Sequence, residues 1–291
     1  MSADAGATSA LARFRAEYGA HRAAEGRAHT GAELLALPYL AAGPLARQWA
    51  VRARSFDAFV RLVLVPAARD ARARPLRLLD VGAGNGWLSY RAALAGAHAM
   101  AVDFRDDEVD GLGAAAAYVR ALDAARGGEG GRGVGRMTRV AASFDALPVA
   151  DGSFDVVVFN AALHYAVDLT AVLWEARRVL RAGGRLVVLD SPFYARDAAG
   201  AAMVAEKRRD AAARFGDRAD ALMALPFVEY LTRERLEHAS AEIGLVWRRH
   251  RVRYPLWYEA RPLVAWLRRR RPPSRFDLWV GADEHPTNVR N

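Results

Sequence analysis

Between residues 76 and 193 the chain alternates short apolar segments with helical ones, and this alternation limits the fold more than any other feature. The apolar segments are continuous, as expected for strands covered on both faces, and they lie at residues 76–82, 98–104, 136–143, 153–163 and 185–193. One helical segment at 168–184 has Asp168 as its N-cap and Gly183 as its stop signal. This order predicts a doubly wound α/β fold with a mostly parallel sheet.

The first predicted strand ends in LLDVGAGNGW, which places three glycines after Asp80 at every second position. Gly82, Gly84 and Gly86 let the backbone approach a ligand without clashes from Cβ atoms. A dinucleotide-binding turn needs a further glycine at its sixth position, where the helix packs on the strand and its N-terminus meets a pyrophosphate. Trp87 occupies that position here. The turn therefore argues against a dinucleotide.

Polar and aromatic residues follow the next three predicted strands, at the sheet edge where an open parallel sheet binds its ligands. Asp103 ends the second strand, where a carboxylate can accept hydrogen bonds from both hydroxyls of a ribose. Phe144 and Asp145 follow the third strand and combine an aromatic face with an acceptor for an adenine amine. The fourth strand leads through Asn160 to His164.

Four segments resemble, in order and spacing, the motifs of class I S-adenosylmethionine-dependent methyltransferases, close to the small-molecule methyltransferase 11 type. These segments are LLDVGAGNGWLS, AVDF, ASFDALPVADGSFDVVVFNAALHY and ARRVLRAGGRLVVLD. The resemblance implies a Rossmann-like sheet of seven strands whose last strand is antiparallel. Residues 245–258 and 275–282 are the candidates for the sixth and the last strand. It also implies S-adenosyl-L-methionine as cofactor and S-adenosyl-L-homocysteine as product. The implied cofactor-binding residues are Asp80, Gly82, Ala83, Gly84, Gly86, Asp103, Phe104, Phe144, Asp145 and Asn160.

The implied chemistry needs few catalytic groups, because the methyl group is already activated on a sulfonium and the protein chiefly aligns the reactants for an in-line displacement. An oxygen or nitrogen acceptor can still need a base. His164 is the candidate, since histidine titrates near neutrality; the alternative is a histidine that only shapes the pocket. The candidates for acceptor contacts are aromatic: Tyr39, Tyr165, Tyr194, Tyr254, Trp257 and Tyr258. The seven histidines lack metal-ligand spacing, so we predict no bound metal.

The flanks of the motifs predict a two-part organisation. Residues 1–74 are helical by periodicity and are predicted to form an N-terminal helical lid over the donor pocket. The side chains that this lid could contribute are Tyr18, His29, Tyr39, Trp49 and Arg52. Residues 75–291 form the predicted Rossmann-like domain, with helical substrate-side additions at about 195–244 and 255–274. Neither flank identifies the acceptor, shows which atom is methylated or indicates an oligomeric state.

The charge of the chain raises a second class of acceptor. The formal net charge is +9, and the arginine clusters at 248–253 and 268–271 could contact nucleic-acid phosphates. The chain has a single lysine and abundant alanine, which indicates a GC-rich coding sequence, and it shows no appended RNA-binding module. We therefore expect a small-molecule acceptor rather than a nucleic acid; an RNA or DNA methyltransferase and a non-catalytic donor-binding scaffold are the alternatives.

Three sequence features bear on location. The chain has no cysteine, no apolar run long enough for a membrane span and no continuous apolar core in its first residues. Together they predict a cytoplasmic protein.

Overall fold

The computed structural model describes residues 17–19, 22–72, 74–128, 133–216 and 225–283. These residues contain a seven-stranded sheet with the strand order β3-β2-β1-β4-β5-β7-β6. The strands are β1 (Arg77–Val81), β2 (His98–Asp103), β3 (Met137–Ala141), β4 (Phe154–Asn160), β5 (Leu180–Leu189), β6 (Leu245–His250) and β7 (Leu278–Asp283). Strands β1 to β5 pair in parallel, whereas β7 runs antiparallel to both β5 and β6. The predicted sheet with an antiparallel last strand is confirmed.

Helices cover the sheet on both faces. Before β1 come α1 (Gly31–Ala36) and α2 (Ala46–Phe59), which continues through a π-helical turn at Val60–Leu64 into α3 (Val65–Ala71). The connections between strands contain α4 (Trp87–Leu94), α5 (Ala116–Gly127), α6 (Leu169–Val179), α7 (Asp197–Phe215), α8 (Arg233–Ala239), α9 (Leu256–Glu259) and α10 (Arg261–Leu267). Within the described ranges, no helix combines the length and apolar character that crossing a bilayer requires.

Neighbouring residues of each central strand face different cores. Leu78 of β1 packs in one core with Phe59 of α2 and Leu88 of α4. Leu79, the next residue, belongs to a second core with Leu173 of α6. Because both faces of the strands are covered, the strand sequences are apolar throughout rather than alternating. The division of the chain into a lid and a catalytic domain at residue 74 stays a prediction.

The predicted helix at 168–184 is too long. Helix α6 ends at Val179, and Leu180 already has an extended backbone (φ −80°, ψ 133°) and pairs with Phe154 of β4. Gly183 is therefore not the helix stop; it lies inside β5, beside an irregularity in the pairing with β4. The predicted N-cap is confirmed, because the Asp168 carboxylate accepts a hydrogen bond from the Ala171 N–H at 3.0 Å.

Two predicted strands are also too long. The strand predicted at 153–163 ends at Asn160, because Ala161 has a positive φ of 54° that an extended strand does not accommodate. His164 consequently lies on a single 3₁₀ turn after the strand. The strand predicted at 245–258 ends at His250, since Pro255 initiates the short helix α9.

Candidate active site

An open cavity lies at the carboxyl ends of β1, β2, β4 and β5. Residues that precede the sheet in the chain also line it: Tyr18, Arg22, Arg27, Trp49 and Arg52. Nine predicted site residues line the cavity: Gly82, Ala83, Gly84, Asp103, Phe104, Phe144, Asn160, His164 and Tyr165. The cavity therefore joins the predicted donor turn to residues that precede β1 and to residues at the end of β4.

The glycine turn after β1 is held in shape by β2. The N–H groups of Gly82 and Ala83 both donate to the Val102 carbonyl, at 2.8 and 3.0 Å. Gly82 has a φ of 73°, and a Cβ atom there would lie 2.8 Å from Cζ of Phe144. A larger residue would strain the turn and push against this ring, so glycine keeps the backbone open to the cavity.

Asp103 ends β2, and the backbone holds both of its carboxylate oxygens. Oδ2 accepts the Gly84 N–H at 2.8 Å, and Oδ1 accepts the Arg105 N–H at 2.9 Å. Burial raises the pKa of the Asp103 carboxyl, while the Arg105 guanidinium and the two N–H donors oppose that rise. Each oxygen keeps a lone pair with which it can accept a ligand hydroxyl.

A charged network lies beside Asp103 and was not predicted from the sequence. The Asp110 carboxylate accepts hydrogen bonds from Arg22 Nε at 2.8 Å and from Asn85 Nδ2 at 3.1 Å. The Arg105 guanidinium donates to the Asp110 carbonyl at 2.7 Å. All four of these network residues line the cavity. Their positions just after β1 and β2 were a usable signal for three of them, whereas nothing local connects Arg22 to the site.

His164 lines the cavity with its Nδ1 atom 3.5 Å from Ser191 Oγ. Burial, reinforced by neighbouring positive charges, lowers the pKa of its imidazole to about 3. The ring is therefore neutral near physiological pH.

Asp190 follows β5 and presents two unlike carboxylate oxygens. Oδ1 accepts a hydrogen bond from Ser55 Oγ at 2.5 Å, and the same Oγ lies 2.8 Å from the Tyr254 hydroxyl. Oδ2 is buried without a hydrogen-bond partner in the described part of the chain, as is Oδ1 of Asn160 at the end of β4. Burial raises the pKa of Asp190, and Arg52 opposes the rise. Both residues line the cavity, so a ligand that carries donors could satisfy these acceptors.

Arg52, on helix α2, forms no ion pair or hydrogen bond with any residue that the structure describes. Its guanidinium lies 5.4 Å from the centre of the Trp49 ring, and burial lowers its pKa to about 10. Two other arginines of the cavity differ, because Arg22 pairs with Asp110 and Arg27 pairs with Glu25. A guanidinium without a carboxylate partner suits a carboxylate on a ligand.

Residues 79–188 match a family model described as a methyltransferase domain. The matched range includes the glycine turn, Asp103, Asn160 and His164, which together form much of the cavity wall. This segment therefore has the sequence pattern of a methyltransferase domain, and it makes up less than half of the chain.

Two similar proteins show how far the match to this methyltransferase domain extends. The ubiquinone/menaquinone biosynthesis C-methyltransferase UbiE of Methylobacterium nodulans is 35% identical over 130 residues, which are 44% of this chain and 46% of that protein. The malonyl-[acyl-carrier protein] O-methyltransferase of Methylococcus capsulatus is 34% identical over 125 residues, or 42% of this chain and 40% of that protein. The chain thus spans less than half the length of these relatives.

The fold extends further than the sequence match. Magnesium protoporphyrin IX methyltransferase from Synechocystis, solved with bound S-adenosylhomocysteine, aligns with 85% of this chain and 91% of its own chain. The TM-score is 0.52 at 16% identity. At this identity the similarity shows that the two chains share a fold, and it shows nothing more.

Three predicted cofactor residues of the methyltransferase domain lie outside the cavity. Asp80 is fully buried, and its Oδ2 accepts a hydrogen bond from Ser89 Oγ at 2.9 Å. Gly86 is the N-cap residue of α4 and has a φ of 80°; a Cβ there would lie 2.6 Å from Cε of Met137, so this glycine allows close packing. Asp145 is exposed and accepts a hydrogen bond from the neighbouring Ser143.

Of the six predicted acceptor aromatics, Tyr165 lines the cavity, and its hydroxyl lies 3.0 Å from that of Tyr18. The other five lie outside: Tyr39, Tyr194, Tyr254, Trp257 and Tyr258. Tyr258 is buried, and its hydroxyl accepts a hydrogen bond from the Phe276 N–H at 3.0 Å. Phe276 does line the cavity. Tyr258 thus supports the cavity wall, and Phe276 forms part of it.

The remaining outlying aromatics have other contacts. Tyr39 donates to Asp57 at 2.8 Å, and Tyr194 accepts from Arg271 at 3.0 Å. Trp257 is 40% exposed on helix α9. As for metals, no group of three or more potential ligands occurs among the residues described.

Proposed function

We propose that this chain binds S-adenosylmethionine and transfers its methyl group to a small-molecule acceptor. One observation carries the proposal: a single cavity joins the glycine turn and Asp103 to the unpaired acceptor atoms of Asn160 and Asp190. One part of the cavity suits a nucleoside, and the other suits a second ligand that carries hydrogen-bond donors. The match to a methyltransferase domain supports the reaction class. Like the predicted cytoplasmic location, the small-molecule acceptor is part of this proposal.

The residues present fit the proposed donor. Asp103 would accept the ribose hydroxyls, and the Phe144 ring would lie near the adenine. Arg52, whose guanidinium has no carboxylate partner among described residues, would pair with the methionine carboxylate. When bound, the donor supplies a methyl group that its sulfonium has already activated. The work of the chain is then to align the two ligands and exclude water.

Where the acceptor must lose a proton, we assign that proton to Asp190 rather than to His164. Asp190 would take it at Oδ2 as the acceptor gains the methyl group, because this oxygen is buried and unpaired while Ser55 fixes the other. Burial raises the pKa of Asp190 and so increases its affinity for a proton. His164, with its pKa lowered to about 3, would instead help to orient the acceptor.

Calorimetric titration of the full chain with S-adenosylmethionine and with NAD tests the donor. We expect binding of the first and none of the second. Asp103→Ala should weaken S-adenosylmethionine binding at least about tenfold, because hydrogen bonds to a charged group are lost. Asp151→Ala is the matched control, since it removes an exposed carboxylate outside the cavity. Binding of NAD, or an Asp103→Ala variant with unchanged affinity, would contradict the donor assignment.

Transfer of a labelled methyl group to components of a cell extract tests the reaction itself. Label in the small-molecule fraction supports the proposal. Label found only in RNA or DNA would favour the nucleic-acid alternative, with binding that falls steeply as salt rises. Donor binding without any transfer of label would favour the non-catalytic scaffold.

A further inference from the structure

The two short helices between β6 and β7 carry an apolar surface that methyl transfer does not use. We define the α9–α10 surface as Leu256, Trp257, Leu263, Val264, Trp266 and Leu267. Four of these side chains are more than half exposed, from 59% for Leu263 to 88% for Leu256. Single exposed apolar residues are ordinary, but six large ones in one short segment are typical of a binding surface.

The exposure of this surface follows from how α10 is attached. Leu263, Trp266 and Leu267 are spaced i, i+3, i+4 and therefore share one face of the helix. Arg261 anchors the start of the helix by donating to the Ser274 carbonyl at 2.8 Å, and no residue of α10 is buried. The helix is thus tied to the fold while its apolar face stays uncovered within the described part of the chain.

Arginines flank the α9–α10 surface on both sides. Arg251 and Arg253 precede it, and Arg268, Arg269 and Arg270 follow it. The three that follow are exposed and form no ion pair with any described residue. Glu259 is the one acidic residue in the sequence between positions 245 and 275, and Arg275 already pairs with it at 2.8 Å. The segment of chain that carries the apolar surface is therefore strongly positive.

We propose that the α9–α10 surface docks this protein on the surface of an anionic phospholipid membrane. Tryptophan and leucine side chains suit the boundary between headgroups and acyl chains, and flanking arginines suit anionic headgroups. A second copy of the chain is the competing occupant. A two-fold contact would bring two arginine clusters together without acidic partners, so the charge pattern favours the membrane. The inference does not depend on the proposed methyl transfer.

Flotation of the full chain with phospholipid vesicles tests the docking. We expect binding to vesicles of phosphatidylglycerol and phosphatidylcholine in equal parts, weak binding to phosphatidylcholine alone, and release by salt. The double variant Trp266→Gln, Leu267→Gln should lower the partition coefficient at least about tenfold, because two apolar side chains no longer insert. The matched control is the double variant Val167→Gln, Trp174→Gln. It replaces two apolar residues that lie outside the α9–α10 surface and are 57% and 46% exposed, and it should bind like the wild type.

The charge contribution has its own variant. Replacing Arg268, Arg269 and Arg270 together by glutamine should lower binding to the anionic vesicles about tenfold or more and reduce its salt dependence. Circular dichroism confirms that each variant is folded, and sedimentation velocity gives its oligomeric state. The proposal is overturned if the wild-type chain does not bind anionic vesicles. It is also overturned if the Trp266→Gln, Leu267→Gln variant binds them as well as the wild type does. A wild-type dimer that this double variant dissociates, without vesicle binding, assigns the surface to a second copy.

Discussion

The two ends of the cavity differ in how their polar groups are satisfied. At the end where we propose that S-adenosylmethionine binds, the donor end around Asp103 and Asp110, each carboxylate is held by hydrogen bonds from within the chain. At the acceptor end, Asp190 Oδ2 and Asn160 Oδ1 are buried without a partner among the described residues. A buried polar atom left in this state costs on the order of 1–3 kcal/mol. The donor end therefore has its hydrogen bonds formed before its ligand binds. The acceptor end would gain stability from a ligand that donates hydrogen bonds to Asp190 and Asn160.

Asp190→Asn should have the largest effect and should be confined to the acceptor end. The amide keeps the size of the side chain but accepts no proton, so we expect kcat to fall about 10²–10⁴-fold. The affinity for S-adenosylmethionine should stay within about twofold, since the donor end is intact. The assay is labelled-methyl transfer to the acceptor recovered from extract, with calorimetry for the donor.

His164→Gln is the comparison for that variant. Because the imidazole pKa is lowered to about 3, we expect a fall in kcat of about tenfold or less. If His164→Gln costs more than Asp190→Asn, the histidine is the base and the acceptor end has been assigned to the wrong side chain.

Gly82→Ala should damage the donor end next most strongly. The left-handed backbone alone costs about 1–2 kcal/mol for alanine, and the new Cβ would meet the Phe144 ring at 2.8 Å. We expect calorimetry to show S-adenosylhomocysteine affinity reduced by about 100-fold. Gly152→Ala is matched for backbone strain, with a φ of 59°, but its Cβ would enter open space. If both variants bind S-adenosylhomocysteine equally, the turn is not the donor site.

Arg52→Gln should show to which of the two ends Arg52 belongs. Loss of a charged hydrogen bond to the methionine carboxylate should reduce S-adenosylhomocysteine affinity by about 10- to 100-fold. 5′-Methylthioadenosine lacks the amino-acid group and should bind the variant and the wild type alike. Arg54→Gln, an exposed neighbour on the same helix, should change neither affinity. An Arg52→Gln variant that binds the donor normally but has a raised KM for the acceptor would move Arg52 to the acceptor end.

Asp80→Asn should act on the stability of the fold rather than on the affinity for either ligand. Burial raises the pKa of Asp80 to about 7, despite the hydrogen bond from Ser89. The folded chain thus prefers the protonated carboxyl, whose stabilising contribution is complete below the ordinary pKa of 3.8 and is lost as pH rises through about 7.

The asparagine variant should therefore gain free energy of unfolding relative to the wild type, by about 1 kcal/mol per pH unit between these values. Above pH 7 the gain should level off. Urea denaturation at a series of pH values measures this difference. A difference that is constant with pH would contradict the raised pKa.

The donor end was largely predictable because its signals are local. The spacing of Gly82 and Gly84 and the position of Asp103 at a strand end are visible within a few residues. Element boundaries were less predictable where backbone geometry decided them. Gly183 matches the pattern of a helix stop, yet β5 begins at Leu180 because pairing with β4 competes successfully for that segment.

The acceptor end was only partly predictable. His164 was predicted on the acceptor side and lines the cavity, whereas Asn160 was predicted to bind the cofactor and lines the same cavity. The aromatic residues near the end of the chain were expected to form an acceptor wall, but Tyr254 lies behind Asp190 and supports it through Ser55. Composition alone could not separate a side chain that contacts a ligand from one that holds such a side chain in place.

By itself the sequence determined the α/β class, the mostly parallel sheet with an antiparallel last strand, and the location of the glycine turn beside Asp103. These properties depend on periodicity and on residues close together in the chain. Only the tertiary structure decided that Ser55 of α2 meets Asp190 of the sheet edge, that Arg22 reaches Asp110, and that α10 turns its apolar face outward. Such contacts arise from how separate elements pack on one another, and no local pattern encodes that packing.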